Sequence, residues 1–322
     1  MLDDAPQRSA PVSRIRSVFF GTPAIAVPAL EALHETTDLV AVVCQPDRPA
    51  GRGLQLAEPA VKLAGARLGK PVHQPTKVRT GELERWLREQ NADVALVMAY
   101  GRILPEAVLA APRLGCLNLH ASLLPKYRGA APINWAIARG EHETGISLMQ
   151  MDAGLDTGPV FTARALAIGP NETGGELAER LAGLAAVVVR EDLPRAVAGD
   201  LAAGPQDETQ SSHAPLITKA HTRVDWSASA LEIVNLIRAM APRPGAHTSV
   251  RDKHLRLTRA AVSRQSAAGP PGTIALGIGR EILVATGDGS VEVLRAQLEG
   301  KKELGAADLL NGRAVGEGDR LN

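Results

Sequence analysis

Residues 15–45, IRSVFFGTPAIAVPALEALHETTDLVAVVCQ, decide the fold. IRSVFFG is a short apolar run that stops at a glycine, and TPAIAVPALEALHE repeats its apolar residues at helical spacing. LVAVVCQ is a second apolar run without polar alternation. A strand, a helix and another such strand make a βαβ unit, whose strands lie parallel and are covered on both faces. Outward from it the alternation continues. After a long polar loop, EPAVKLAGARLG reads as a helix, KPVHQP as a short strand lead and GELERWLREQN as a helix. ADVALVMAYG reads as a buried strand, and LGCLNLHAS closes the set. The pattern predicts an α/β, Rossmann-like open sheet within residues 15–204.

Beyond residue 145 the pattern changes. ISLMQMDAGLDTGPVFTARALAI reads as strands joined by glycine turns, and ELAERLAGLAAVVVREDLPRAVAG as one long amphipathic helix. DLAAGPQDETQSSHAP is polar and has no period, which predicts an interdomain linker over residues 205–224. One helix follows, SALEIVNLIRAM, and then short strands with turn signals, GDG being a hairpin cue. That run predicts a small antiparallel OB-like β-barrel over residues 225–322. The leading MLDDAPQRSAPVSR, residues 1–14, has no apolar core and reads as a disordered tail rather than a signal peptide.

A chain of 322 residues with 45% hydrophobic residues has apolar material for two domains, and a net charge of +1 argues against a wholly basic coat. No apolar stretch reaches membrane-spanning length. The two cysteines, Cys44 and Cys116, lie in apolar runs without metal-ligand spacing. They are expected to be small buried hydrophobes in a reducing, cytoplasmic compartment, with no metal. FFGTPAIAV invites a dinucleotide reading, but only Gly21 occupies the turn and no acidic residue ends the second strand, which argues against nicotinamide chemistry.

Residues 118–135, NLHASLLPKYRGAAPINW, carry the chemistry. Asn118 and His120 stand two apart at the end of an apolar run, so a strand turns both to one face. The Pro- and Gly-rich loop after them cannot extend the ladder, which puts the pair at a sheet edge facing a crevice. MQMDAGLDTGPV offers Asp156 in a glycine-rich turn. A structural amide and a core histidine would be the plainer reading of the pair alone. The strand-end position, the small-residue loop and Asp156 favour a site that binds an oxyanion and moves protons without metal or covalent intermediate.

These segments, together with QPDRPAGRG, AYGRILP, RVDW, PRPGAH and ATGDG, resemble the methionyl-tRNA formyltransferase family over residues 18–321. SLLP and LDTG are shared by all folate-dependent formyltransferases, while QPDRPAGRG and the C-terminal barrel are more specific to the tRNA branch. The resemblance implies transfer of a formyl group from 10-formyltetrahydrofolate to the α-amine of methionyl initiator tRNA by a monomer. It implies that Asn118, His120 and Asp156 are catalytic, and that Ser122, Leu123, Leu124 and Pro125 line the donor site. Arg52 falls where the family contacts the acceptor-stem end. Ala121, where glycine is frequent, and His247, where an aromatic residue is common, depart from the pattern.

On its own terms the chemistry is coherent. An α-amine with a pKa near 8 is partly neutral and can attack a formyl carbon. Donors from Asn118 and His120 would stabilise the resulting oxyanion by about 3 kcal/mol each. Asp156 could orient the imidazole or accept the amine proton, and both roles stay open at this point. Two arginines on the glycine hinge of QPDRPAGRG suit a phosphate or a nucleic-acid groove. Residues 219–264 hold nine Lys and Arg against three acidic residues, a local +6 that predicts a phosphate track. With 2% aromatic residues, base stacking can add little. A formyltransferase acting on a small acceptor, or a hydrolase that deformylates the folate, would need neither the QPDRPAGRG loop nor the basic barrel. His73, His142, His213 and His221 read as surface or structural residues.

Overall fold

The computed structural model describes residues 14–50 and 55–322. All but one residue of the tail expected at 1–14 lies outside them, as does Arg52. Strands β1 (Arg16–Gly21) and β2 (Asp38–Val43) flank helix α1 (Val27–Thr36) in sequence. A hairpin of β3 (Arg48–Ala50) and β4 (Gln55–Ala57) follows, then α2 (Ala60–Arg67), β5 (Val72–His73), α3 (Glu82–Glu89) and β6 (Val94–Met98). Next come α4 (Glu106–Leu109), β7 (Cys116–His120), α5 (Pro132–Ala138), β8 (Glu143–Gln150), β9 (Val160–Ala167), α6 (Gly174–Glu191) and α7 (Leu193–Ala198). Seven strands form one sheet in the order β5-β2-β1-β6-β7-β8-β9. The first five of that order are parallel, and β8 and β9 are antiparallel additions.

The placement of Asn118 and His120 at a sheet edge is therefore corrected. Strand β7 is flanked by β6 and β8, because ETGISLMQ supplies another buried strand. What opens towards the crevice is the carboxyl end of β7, where open α/β sheets receive ligands.

Strand β1 shows why the sheet is covered twice. Val18 and Phe20 enter one apolar layer with Leu83 and Leu87 of α3, while Phe19 enters the other with Leu30 of α1 and Leu181 of α6. All seven side chains are buried, each such burial contributing about 1.5–3 kcal/mol. The single long helix expected near the end of this half is instead two. Pro194, in the first turn of α7, cannot carry the α6 ladder onward. The β3–β4 hairpin was not expected, since three-residue strands containing Pro49 show no period.

The C-terminal half holds α8 (Ala230–Met240), β10 (Ala246–Val250), β11 (Lys253–Val262), β12 (Ile274–Leu276), β13 (Ile282–Ala285), β14 (Ser290–Leu298), β15 (Leu304–Gly305) and α9 (Ala306–Asn311). The antiparallel order is β10-β11-β14-β13-β12, with β15 on β14. Leu321 bridges to Val250 at the end of β10, and Arg320 to Thr273 beside β12. The chain end thus ties the two edge strands together, which is how an OB-like barrel limits its open edges. Helix α8 starts on a Ser229–Glu232 capping box. The Asn134 amide on α5 donates to the Ala239 carbonyl of α8 at 2.7 Å, joining the halves. Among the described residues no helix is long and apolar enough to cross a membrane.

Candidate active site

The carboxyl end of β7 delivers Asn118 and His120, each paired through its backbone to β8. Both are buried, at 8% and 6% exposure, as a group must be if it is to act in a low dielectric. The His120 Nε2 lies 2.9 Å from the carbonyl oxygen of Tyr127. A carbonyl can only accept, so Nε2 carries a proton and donates it there. Nδ1, the remaining ring nitrogen, lies 3.6 Å from Oδ2 of Asp156. The amide of Asn118 makes no side-chain hydrogen bond among the described residues, which leaves a donor and an acceptor that a ligand can reach.

Asp156 comes from the turn between β8 and β9. Asp152 clips that turn by accepting from the Gly154 N–H at 3.0 Å and from the Thr157 hydroxyl at 2.8 Å. Asp156 itself adopts φ 55°, a left-handed conformation that asparagine and aspartate tolerate better than most residues. Its Oδ2 accepts from the Gly129 N–H at 2.8 Å, and its Oδ1 has no hydrogen bond among the described residues. Ala99 at φ 49° and Tyr127 at φ 61° are strained in the same way around the ends of β6 and β7, as backbones at functional sites often are.

The loop after β7 is locked from within. The Ser122 hydroxyl has no accessible surface and donates to the Lys126 carbonyl at 2.6 Å, while Leu123, Leu124 and Pro125 are partly exposed. Gly145 on β8 makes room for Leu123, since a Cβ there would strike the Arg164 carbonyl and the Leu123 side chain. Tyr127 anchors its phenol on Glu141 at 2.8 Å, and burial together with that carboxylate pushes the phenol up to about 12. Burial likewise pushes the Cys44 thiol to about 11 and Cys116 to about 12, so neither is a nucleophile at neutral pH.

The polar segment expected to be a linker instead lies across this loop as a strap. Gly204 pairs with Val160, and Ser212 and Ala214 exchange backbone hydrogen bonds with Arg128 at 2.8 and 2.7 Å. Gly129 sits at φ 118° directly under the strap, where a Cβ would stand 2.8 Å from the Ala214 carbonyl. Tyr127, Arg128, Gly129, Gln206 and Ser212 all reach the site through this region, and the sequence reading singled out none of them.

A cavity of about 370 Å³ lies over the carboxyl ends of β1, β2 and β6, next to β7, lined by Thr22, Gln45, Arg48, Glu58, Tyr100 and Gly101 among others. A larger open cleft of about 520 Å³, with Arg16 and Asp38 in its wall, lies at the opposite end of the strands, away from this chemistry. Gln45 accepts from Arg102 at 2.9 Å and Arg48 at 3.2 Å, and Asp47 binds Lys62 at 2.6 Å, so the base of the β3–β4 hairpin is tied to the cavity rim. Among the described residues no group of three or more His, Cys, Asp and Glu side chains is placed to hold a metal ion.

Models of two families match the chain, one described as formyl transferase over residues 15–191 and one as the formyl transferase C-terminal domain over residues 216–314. A methionyl-tRNA formyltransferase of Sorangium cellulosum is 56% identical over 94% of this chain and 98% of its own. One of Geobacter metallireducens is 45% identical over 94% of this chain and 97% of its own. The structure of an N-formyltransferase from Helicobacter canadensis, solved with folinic acid and dTDP-3-aminofucose, superposes with a TM-score of 0.67 at 18% identity, covering 87% of this chain and 98% of that one. At that identity it shows a shared fold.

Proposed function

The chain belongs to the methionyl-tRNA formyltransferase family, and from that premise we propose how it carries a formyl group from 10-formyltetrahydrofolate to the α-amine of methionine on initiator tRNA. The observation that carries this reading is the near full-length likeness to the Sorangium enzyme, which includes both halves of the chain.

The amine nitrogen attacks the formyl carbon, and the carbonyl oxygen becomes negative. Asn118 is the free buried amide and supplies the donor for that oxygen. His120 acts through Nδ1, because Tyr127 occupies Nε2. Asp156, with Oδ1 unoccupied, takes the proton that the attacking nitrogen must lose. Collapse of the oxyanion breaks the bond to the donor nitrogen, which leaves with the proton that Asp156 had received. Of the two roles left open by the sequence, the unoccupied Oδ1 supports Asp156 as proton acceptor. No side chain is acylated, since the Ser122 hydroxyl is internally bonded and both thiols are held protonated by burial.

Leu123, Leu124 and Pro125 line the donor side, with Ser122 as the brace beneath them. Residues 15–204 form the catalytic unit and 225–322 the RNA-facing barrel, joined through 205–224, in a monomer that works in the cytoplasm. Arg52, which lies between β3 and β4 in the sequence, meets the acceptor end of the RNA.

The test supplies labelled formyl donor with methionyl initiator tRNA, elongator methionyl-tRNA, a small amine or water. Label on the initiator species alone is the expected result. Label on the small amine, or free formate in every tube, would overturn the assignment.

A further inference from the structure

The strap over residues 204–214 touches both sides of the proposed catalytic set. Gln206 donates through Nε2 to the carbonyl of Asp156 at 2.8 Å and to that of Gly158 at 2.7 Å, so one amide holds the backbone on each side of Thr157. Its Oε1 accepts from Arg128 Nε at 3.1 Å and Nη2 at 2.8 Å. The same guanidinium donates to the Glu208 carboxylate at 2.9 and 2.8 Å. Arg128 is 3% exposed, a buried charge that is costly to leave unpaired, and these two strap residues accept all four of those bonds. Next in the chain, the Gly129 N–H binds the Asp156 carboxylate, while the Tyr127 carbonyl holds His120.

A closed circuit results. His120 is fixed by Tyr127, Asp156 by Gly129 and Gln206, and residues 127–129 by the strap. Asp156 has a left-handed backbone that its own turn does not favour, so outside contacts must hold it.

We propose that Gln206, set in place by Arg128 and Glu208, is a positioning residue that aims the Asp156 carboxylate at the reacting amine. The proposal rests on the reading of Asp156 as the proton acceptor. A misplacement of about 1 Å in such a group can slow the chemical step about 100-fold without weakening substrate binding.

The experiment measures single-turnover rates and KM for donor and methionyl initiator tRNA in the full-length enzyme. The variants are Gln206→Ala, Asp156→Asn and the pair combined. Gln206→Ala is expected to lower the rate about 10- to 100-fold, with both KM values within about twofold of wild type. In the Asp156→Asn background the same change is expected to add nothing further, because the group it positions is already lost. Gln206→Glu keeps the bulk of the side chain but sets an acceptor against the Asp156 and Gly158 carbonyls, and is expected to lower the rate at least as much as Gln206→Ala.

A wild-type rate in Asp156→Asn would overturn the catalytic reading and this inference with it. A severely slowed Asp156→Asn beside a wild-type rate in Gln206→Ala would overturn the inference alone. An equal proportional loss in both backgrounds would assign Gln206 a merely structural role and overturn it too.

Discussion

Asn118 is the side chain placed to donate to the oxyanion, because its amide has no protein partner among the described residues and a ligand can complete it. Removing one preorganised donor of this kind lowers kcat by about 10²- to 10³-fold. Asn118→Ala is therefore expected to lose about 100-fold in kcat while the KM for the folate donor stays near wild type, as steady-state rates on methionyl initiator tRNA would show. A loss confined to KM would instead make Asn118 a binding residue. Asp156→Asn is the clean partner experiment, because asparagine tolerates φ 55° and can keep the Gly129 hydrogen bond while losing its basicity. That variant is expected to cut turnover to a small residual rate and to retain folate binding by titration, and near-normal formylation by it would remove Asp156 from the mechanism. His120→Ala should behave alike in turnover, although it also leaves the buried Tyr127 carbonyl unpaired.

Among the elements, the strap is the one whose stability should respond to acid. Its anchor pairs the buried Arg128 with the exposed Glu208, and the hydrogen bond from that guanidinium holds the Glu208 carboxyl below its ordinary 4.5. A carboxyl lowered by folding contributes stability that is complete above the ordinary value and fades as pH falls through the folded one. Wild type and Glu208→Gln should thus differ in thermal midpoint at neutral pH and converge as the pH drops below 4.5. A gap unchanged in acid would mean that the ion pair does not stabilise the strap. This element also marks where the sequence stops being legible. Asn118 and His120 could be found because a two-residue spacing on a strand is a local signal, and Asp156 because glycines flank its turn. Gln206 meets Asp156 from 50 residues away and Arg128 meets Glu208 from 80, and contacts at such separations leave no period to read. Polar composition without a period resembles slack chain whether or not its backbone is bonded, so the strap read as a linker. Pro194, by contrast, was a visible sign that the helix after β9 would break.

For the molecule as a whole, one apolar cluster runs from Phe19 through Ile137 and Leu181 to Ile237 and Leu257, so the two halves share a core rather than hang from a tether. That continuity changes the arithmetic of the basic C-terminal half. Arg238 is buried against Asn235 and the Gly169 carbonyl, Arg251 is paired with Asp319, and Arg259 bridges to Glu176 of α6. These three cations hold the protein together, and the local charge overstates what can face RNA. Lys219 and Arg223 are exposed and make no ion pair among the described residues. They stand beside His247, whose pKa is lowered by burial and further by the charges of His254, Lys219 and Arg223. A cluster of one sign at the point where the strap enters the barrel is a natural phosphate contact. Replacing both Lys219 and Arg223 by alanine should weaken binding of methionyl initiator tRNA and reduce the slope of log affinity against log salt by about 2, roughly one per lost phosphate contact. Arg251→Ala, by comparison, should lower the thermal midpoint slightly and leave the salt slope as it was. Equal slopes in wild type and the double variant, measured by filter binding from low to moderate salt, would move the RNA track away from the strap–barrel junction.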